Sequence, residues 1–227
     1  MPILHLGNRN YSSWSLRPWL VLRWAGIPFE ENVIPLGGEG YGKSRIPAVR
    51  AVSPTGRVPA LALPDVTIAD SLAITEWAAE QAAGVWPADP TRRAVARSIA
   101  AEMHSGFAAL RRDLSMNIRH RCTVETWPGD TRADIARVVD LVSATLARFG
   151  GPWLVGERSA ADAFYAPIAT RFRTYDVALP AEVQSWCDTV LADADFRVWE
   201  AAAVAEPWSI PPVTGRGGQG STTNGQP

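Results

Sequence analysis

The chain has 227 residues, 22 basic and 23 acidic side chains, and a formal net charge of −1. That balance provides no long-range field to gather nucleic acid or anionic lipid, and a 47% hydrophobic composition excludes disorder over most of the length. At roughly 100–200 residues per domain, one large or two small domains are expected.

No run approaches the ~18 uninterrupted apolar residues of a membrane span. The longest apolar stretch, Pro18 to Phe29, is broken by Arg23. The start, Met1-Pro2-Ile3-Leu4-His5, lacks the basic patch and apolar core of a secretory signal. Cys122 and Cys187 are far apart and support neither a disulfide scaffold, a cysteine-based zinc site nor a Cys-x-x-Cys pair. His5, His104 and His120 have no ligand-like spacing, so no metal is expected. The expectation is a soluble protein of a reducing cytoplasm.

In chain order, Ile3-Leu4-His5-Leu6 ending at Gly7 predicts a short buried strand. A helix follows from about Ser13 to Ala25, with Gly26 and Pro28 as stop signals and Pro18 near its first turn. Glu31 to Leu36 predicts a second strand, followed by a glycine-rich loop from Gly37 to Gly42. Pro59 to Leu63 and Val66 to Ala69 flank Pro64-Asp65 and read as an antiparallel hairpin. Asp70-Ser71 supplies N-cap chemistry to a helix carrying Leu72, Ile74, Trp77 and Ala78. A small mixed sheet with packed helices fits this order.

Gly84 to Pro90 reads as a linker, after which nearly every signal is helical. Val95, Ile99, Met103, Phe107, Leu110 and Leu114 recur at three- and four-residue steps; so do Ile135, Val138 or Val139, Val142, Leu146 and Phe149, ended by Gly150. Val183, Trp186, Val190 and Leu191 mark a shorter helix. Ser159-Ala160-Ala161-Asp162 has the form of a capping box, with Asp in place of Glu. The tail from Pro211 lacks periodicity and is rich in Gly, Ser, Thr and Asn, a disordered composition.

Three segments, in order, carry a family resemblance from about Ile3 to Trp208: Asn10-Tyr11-Ser12-Ser13-Trp14-Ser15-Leu16-Arg17, Gly56-Arg57-Val58-Pro59-Ala60-Leu61, and Ile68-Ala69-Asp70-Ser71-Leu72-Ala73-Ile74. They resemble the serine-type active-site turn, the Gly-Lys-Val-Pro-x-Leu segment and the Glu-Ser-x-Ala-Ile signature of the glutathione S-transferase family, with some likeness to its zeta and tau classes. The resemblance implies an α/β thioredoxin-like domain at residues 1–82, a linker at 83–90, an all-α domain at 91–208 and a tail at 209–227. It also implies glutathione as co-substrate, a small hydrophobic electrophile as second substrate, and a homodimer.

By that resemblance, Ser12 activates the glutathione thiol, with Ser13 second and Tyr11 third. From the residues alone these serines read first as caps of the first helix, and it is the resemblance that reverses that order. The resemblance also implies that Pro59 is cis and that the Val58 backbone pairs with the cysteinyl backbone of glutathione. Ser71 would hold the γ-glutamyl carboxylate and Asp70 its ammonium, while Arg57 and Lys43 are candidates for ligand carboxylates. Tyr11, Trp14, His104, Phe107, Leu110, Arg111 and Met116 are candidate walls of the second-substrate pocket, with core packing as the alternative for each. His104 is the candidate proton handler.

Gly37 to Ser44 formally matches the phosphate loop G-x-x-x-x-G-K-[ST]. Pro47 falls in the opening turns of the helix such a loop requires, so nucleotide binding is not expected. Within the family, Ser12-Ser13-x-Ser15-x-Arg17 also resembles zeta-type isomerases acting on maleylacetoacetate, though Trp14 stands where those carry Cys and Leu16 where they carry Trp. A non-catalytic ligand-binding module is the remaining alternative. Serines in place of a nucleophilic cysteine argue against a thiol–disulfide oxidoreductase.

Overall fold

The computed structural model describes residues 1–37, 40–41 and 43–210. Strands β1 (Ile3–Leu6), β2 (Glu30–Val33), β3 (Ala60–Ala62) and β4 (Thr67–Ala69) form one sheet in the order β2-β1-β3-β4. β1 runs parallel to β2, Ile3 opposite Glu30 and Leu6 opposite Val33, and antiparallel to β3, Leu4 opposite Leu61. β3 and β4 make the expected hairpin, Leu61 opposite Ile68. Leu4, Leu6 and Leu61 are fully buried, as central strands covered on their faces require.

Helix α1 (Ser13–Trp24) follows β1, α2 (Pro47–Arg50) follows β2, and α3 (Ser71–Gln81) follows β4. α3 packs on β3, β4 and α1. Six further helices follow among the described residues: α4 (Pro90–Ser105), α5 (Ala108–Asp113), α6 (Gly129–Phe149), α7 (Ala160–Thr174), α8 (Ala181–Ala192) and α9 (Ala194–Ala205). The architecture is a thioredoxin-like sheet-and-helix unit joined to a helical region. α1 is wedged among α3, α7 and α9 and α7 among α1, α4 and α8, so both helices are buried around most of their circumference rather than along one stripe. No helix among the described residues is long and apolar enough to cross a membrane.

Four sequence expectations need correction. The second strand begins at Glu30 and stops at Val33, because its partner β1 ends at Leu6 and Pro35 cannot extend the ladder. Pro18 sits inside α1, past the first turn. The apolar period from Val95 to Leu114 is two helices: Gly106 and Phe107 break it, Phe107 taking the left-handed conformation at φ +60°. The helix α9 was not expected from the sequence. Gly38, Glu39, Gly42 and residues 211–227, which include most of the expected tail, lie outside the described residues.

Candidate active site

The turn between β1 and α1 is built by side chains that return to its backbone. The Asn8 carbonyl accepts from the Tyr11 and Ser12 amides at 3.1 and 2.8 Å, and Asn8 Oδ1 accepts from Leu36 N at 2.6 Å. Ser12 is the N-cap of α1, its Oγ accepting from Ser15 N at 3.4 Å. The Ser12 hydroxyl donates to Ser15 Oγ at 2.8 Å, and Ser15 Oγ also accepts from Gly7 N at 3.1 Å. A three-member polar chain thus runs from the end of β1 to the mouth of α1, where unpaired N–H groups concentrate partial positive charge. Ser13 is the first residue of the helix, buried, and its hydroxyl makes no hydrogen bond among the described residues.

Gly7 is required by close approach. A Cβ there would lie 2.5 Å from Leu36 Cδ1 and 3.1 Å from Val58 Cγ2. The Val58 side chain, and with it the Val58–Pro59 bend, therefore lies close to the end of β1. The Val58–Pro59 peptide is cis, and Val58 precedes β3, so its N–H and C=O fall outside the β1–β3 pairing. Arg57 is exposed and donates from Nε to Ser44 Oγ at 2.9 Å. Lys43 is exposed in a turn whose Lys43 N reaches Gly40 O at 3.2 Å. The phosphate-loop pattern opens no helix: α2 begins only at Pro47 and has four residues.

Asp70 caps α3, its Oδ1 accepting from Leu72 N at 2.7 Å, with a backbone φ of +95° that L-residues rarely adopt. Such conformations cost about 1–3 kcal/mol and cluster at functional sites. Ser71 is 1% exposed, and its Oγ has no partner among the described residues. Asp70 Oδ2 lies 3.3 Å from His104 Nε2, which ties the start of α3 to α4.

The second-substrate candidates separate into groups. Trp14 and His104 meet edge to face at 5.2 Å between centroids, and the Arg111 guanidinium lies 4.9 Å from the Trp14 ring. Arg111 donates to the carbonyls of Gly106 (2.9 Å) and Met103, which close α4. Burial lowers the His104 pKa; Asp70 opposes that shift, while Arg17 and Arg111 add to it. Phe107, Leu110 and Met116 belong to the hydrophobic core. Tyr11 stands apart from Trp14, its hydroxyl accepting from Arg119 at 3.4 Å. Sequence reasoning assigned no role to Ser15 or Arg17, although both lie in the motif it singled out.

It also missed Glu206, which no local pattern signals. Its carboxylate, 6% exposed, accepts from Arg9 N at 2.7 Å and Asn10 N at 3.2 Å. Arg119 donates to the carbonyls of Glu206 and Trp208, both at 2.7 Å. Asn10 in turn donates to Asn117 Oδ1 at 2.8 Å and accepts from Arg119 N at 2.9 Å. The segment after α9 therefore clamps the serine turn from outside the sheet.

Residues 11–81 match the family model described as glutathione S-transferase, N-terminal domain. Maleylacetoacetate isomerase of Rattus norvegicus is 28% identical over 184 residues, 78% of this chain and 81% of that protein. The theta class glutathione S-transferase of the citrus canker pathogen Xanthomonas axonopodis pv. citri, solved with glutathione bound, superposes with a TM-score of 0.62 at 26% identity, over 87% of this chain and 97% of that one. Maleyl pyruvate isomerase, a bacterial zeta class enzyme, superposes with a TM-score of 0.67 at 23% identity, over 90% and 98%. Residues 11–81 thus match the glutathione S-transferase N-terminal domain, and over most of its length the chain is similar in fold to glutathione transferases.

Proposed function

We propose that this protein binds glutathione between the serine turn, the Val58–Pro59 bend and the start of α3, and raises the thiolate fraction of its sulfur for attack on a small electrophile. The observation that carries this reading is the Ser12 hydroxyl at the mouth of α1, linked through Ser15 Oγ to Gly7 N. A free thiol has a pKa of about 8.5, so little thiolate exists at neutral pH. A depression of about two units needs about 2.7 kcal/mol of differential stabilisation. When glutathione binds, the Ser12 proton turns from Ser15 Oγ to the sulfur, and the helix N-terminus adds its partial charge. The Ser15 hydroxyl then donates to Ser12. Ser13, at the first helical position, is the second candidate.

The tripeptide has a partner at each end. The buried Ser71 Oγ, unpartnered among the described residues, suits the γ-glutamyl carboxylate at the start of α3, and Asp70 suits the ammonium. Val58 offers its backbone N–H and C=O to the cysteinyl unit, while Arg57 and Lys43 are the cations for the glycyl carboxylate. Residues 1–82 form the glutathione-binding domain, 83–90 the linker and 91–208 the helical domain. We place the protein in the cytoplasm as a homodimer, which sedimentation equilibrium tests directly.

The deciding measurement is the 240-nm thiolate absorbance of bound glutathione against pH. The thiol pKa falls below about 7 in the wild type and returns toward 8.5 in Ser12→Ala. Binding without depression would identify a non-catalytic module. Loss of depression in Ser13→Ala but not Ser12→Ala would transfer the role to Ser13. A second reading, cis–trans isomerisation of a maleyl compound by reversible thiolate addition, is favoured by the likeness to the rat isomerase. Isomerisation of maleylpyruvate without consumption of glutathione would select it.

A further inference from the structure

Tyr11 directly precedes Ser12 in the turn between β1 and α1, and it is half-buried, so its side chain is open to a ligand. Its hydroxyl accepts from Arg119 Nη2 at 3.4 Å, and the guanidinium lies 5.8 Å from the ring centroid. Arg119 is not free to follow a moving phenol. Its terminal nitrogens donate to the carbonyls of Glu206 and Trp208, both at 2.7 Å, and its amide donates to Asn10 Oδ1 at 2.9 Å. The guanidinium thus faces carbonyls and a phenol, and among the described residues it forms no ion pair.

The phenol oxygen receives donors, while its own proton has no acceptor among the described residues. Burial raises the Tyr11 pKa, but Arg119, the Ile210 backbone and the Asn10 side chain outweigh it and leave the phenol more acidic than usual. Tyr41, from the loop after β2, is the other ionisable group facing it, and its own pKa is raised by burial and by Tyr11. Of the two phenols, the one beside the guanidinium gives up its proton first. The Tyr11 hydroxyl therefore stands between the loop that carries Tyr41 and Lys43 and the segment after α9. Consecutive Cα atoms are about 3.8 Å apart, so a reagent held against a sulfur at Ser12 lies within reach of this side chain.

We propose that the Tyr11 hydroxyl is a second catalytic group, a general acid that protonates the oxygen expelled when the thiolate attacks a carbon–oxygen bond, with Arg119 as the positioning residue behind it. This inference rests on the glutathione reading above and adds a proton donor to it. The sulfur pair forms the S–C bond, the C–O pair passes to oxygen, and the Tyr11 proton goes to that oxygen. Solvent, which has received the proton lost by the thiol, then reprotonates Tyr11, so no other reactant is consumed. An expelled alkoxide is about as basic as hydroxide, whose conjugate acid has a pKa of ~15.7, and it needs an acid; chloride needs none. Arg119 stays protonated throughout, because a guanidinium loses its proton only above about pH 12. It holds the transient phenolate by charge alone.

The test compares 1,2-epoxy-3-(4-nitrophenoxy)propane with 4-nitrobenzyl chloride, both attacked at saturated carbon, and reads the ratio of their kcat values. General acids contribute about 10²–10⁴-fold, so Tyr11→Phe is expected to lower the epoxide-to-chloride ratio by about a hundredfold. That variant leaves Arg119 its two carbonyls, so the fold holds. In the wild type, kcat for the epoxide declines on an alkaline limb below the ordinary tyrosine value of about 10. The limb moves up in Arg119→Gln, which keeps a carbonyl donor without the charge, returns in Arg119→Lys and is lost in Tyr11→Phe. Equal losses with both substrates, or a limb that survives in Tyr11→Phe, overturn the inference. With the 240-nm thiolate absorbance intact, the glutathione reading then stands; absence of that absorbance in the wild type overturns the reading instead. Titration of the Tyr11 ring by 13Cζ NMR in the ligand-free protein decides without glutathione. A Tyr11 that titrates below Tyr41, and moves up in Arg119→Gln, supports the proton donor; one that titrates no lower than Tyr41 overturns it.

Discussion

Ser15 accepts hydrogen bonds from the Gly7 amide and the Ser12 hydroxyl, so one side chain both ends β1 and aims the candidate catalytic group. Replacing it separates these duties. Ser15→Ala leaves a buried amide without its acceptor, and a loss of about 1–3 kcal/mol is expected in urea denaturation. The same variant removes the donor behind Ser12, so the thiol pKa of bound glutathione rises by about one unit, read at 240 nm. Asp70→Asn keeps an oxygen for the Leu72 amide but not the charge proposed to face the ammonium. Stability changes little, and KM for glutathione rises about tenfold. At this scale the local structure was legible in the sequence, because Ser12 and Asp70 stand as the N-caps that short motifs announce and Ser71 opens the helix after one of them. Arg17 stood in the same motif without a legible role, since it is buried partly by the later helix α7, whose Phe164 ring lies 5.2 Å from its guanidinium.

Helix α7 is secured by Asp162, which accepts from Ser159 N at 3.1 Å, Leu154 N at 3.0 Å and Trp186 Nε1 at 3.2 Å. The capping box was readable from Ser159 to Asp162; the tie to Trp186 on α8 was not, since it joins two helices. Asp162→Ala strands three buried donors, and about 3 kcal/mol of destabilisation is expected by chemical denaturation. Burial raises the Asp162 pKa to about 6, against hydrogen bonds that pull it down. Between about pH 4 and 6 the folded chain therefore holds a proton that the unfolded chain has released. The contribution of Asp162 is complete below pH 4 and declines as pH rises through 6, so the gap between wild type and Asp162→Ala is wider at pH 4 than at pH 7. The α4–α5 break escaped sequence reading for a related reason. Phe107 keeps the apolar period and is buried, so the interruption shows in the backbone, where Gly106 closes α4 and Phe107 turns left-handed.

Across the whole molecule, the chain beyond α9 reaches back to the serine turn. Glu206, itself held by Arg119, fixes the backbone of Arg9 and Asn10, so the geometry of the serine turn is set partly by residues beyond α9. Glu206→Ala removes the acceptor of two amides. We expect the midpoint of thermal unfolding to fall and kcat/KM with glutathione to drop several-fold, while Glu206→Gln, which can still accept one of them, lies between. Strand order, hairpin and capped helices follow from local patterns of period and turn chemistry; a clamp between distant segments has no local pattern. The Arg9–Glu206 bond spans 197 positions. On a ribosome, the first fifth of the chain emerges with its motif written but its loop unheld, and only the arrival of the last helix finishes it. A fragment made of the sheet unit alone would carry every signature residue and still lack the brace that aims them.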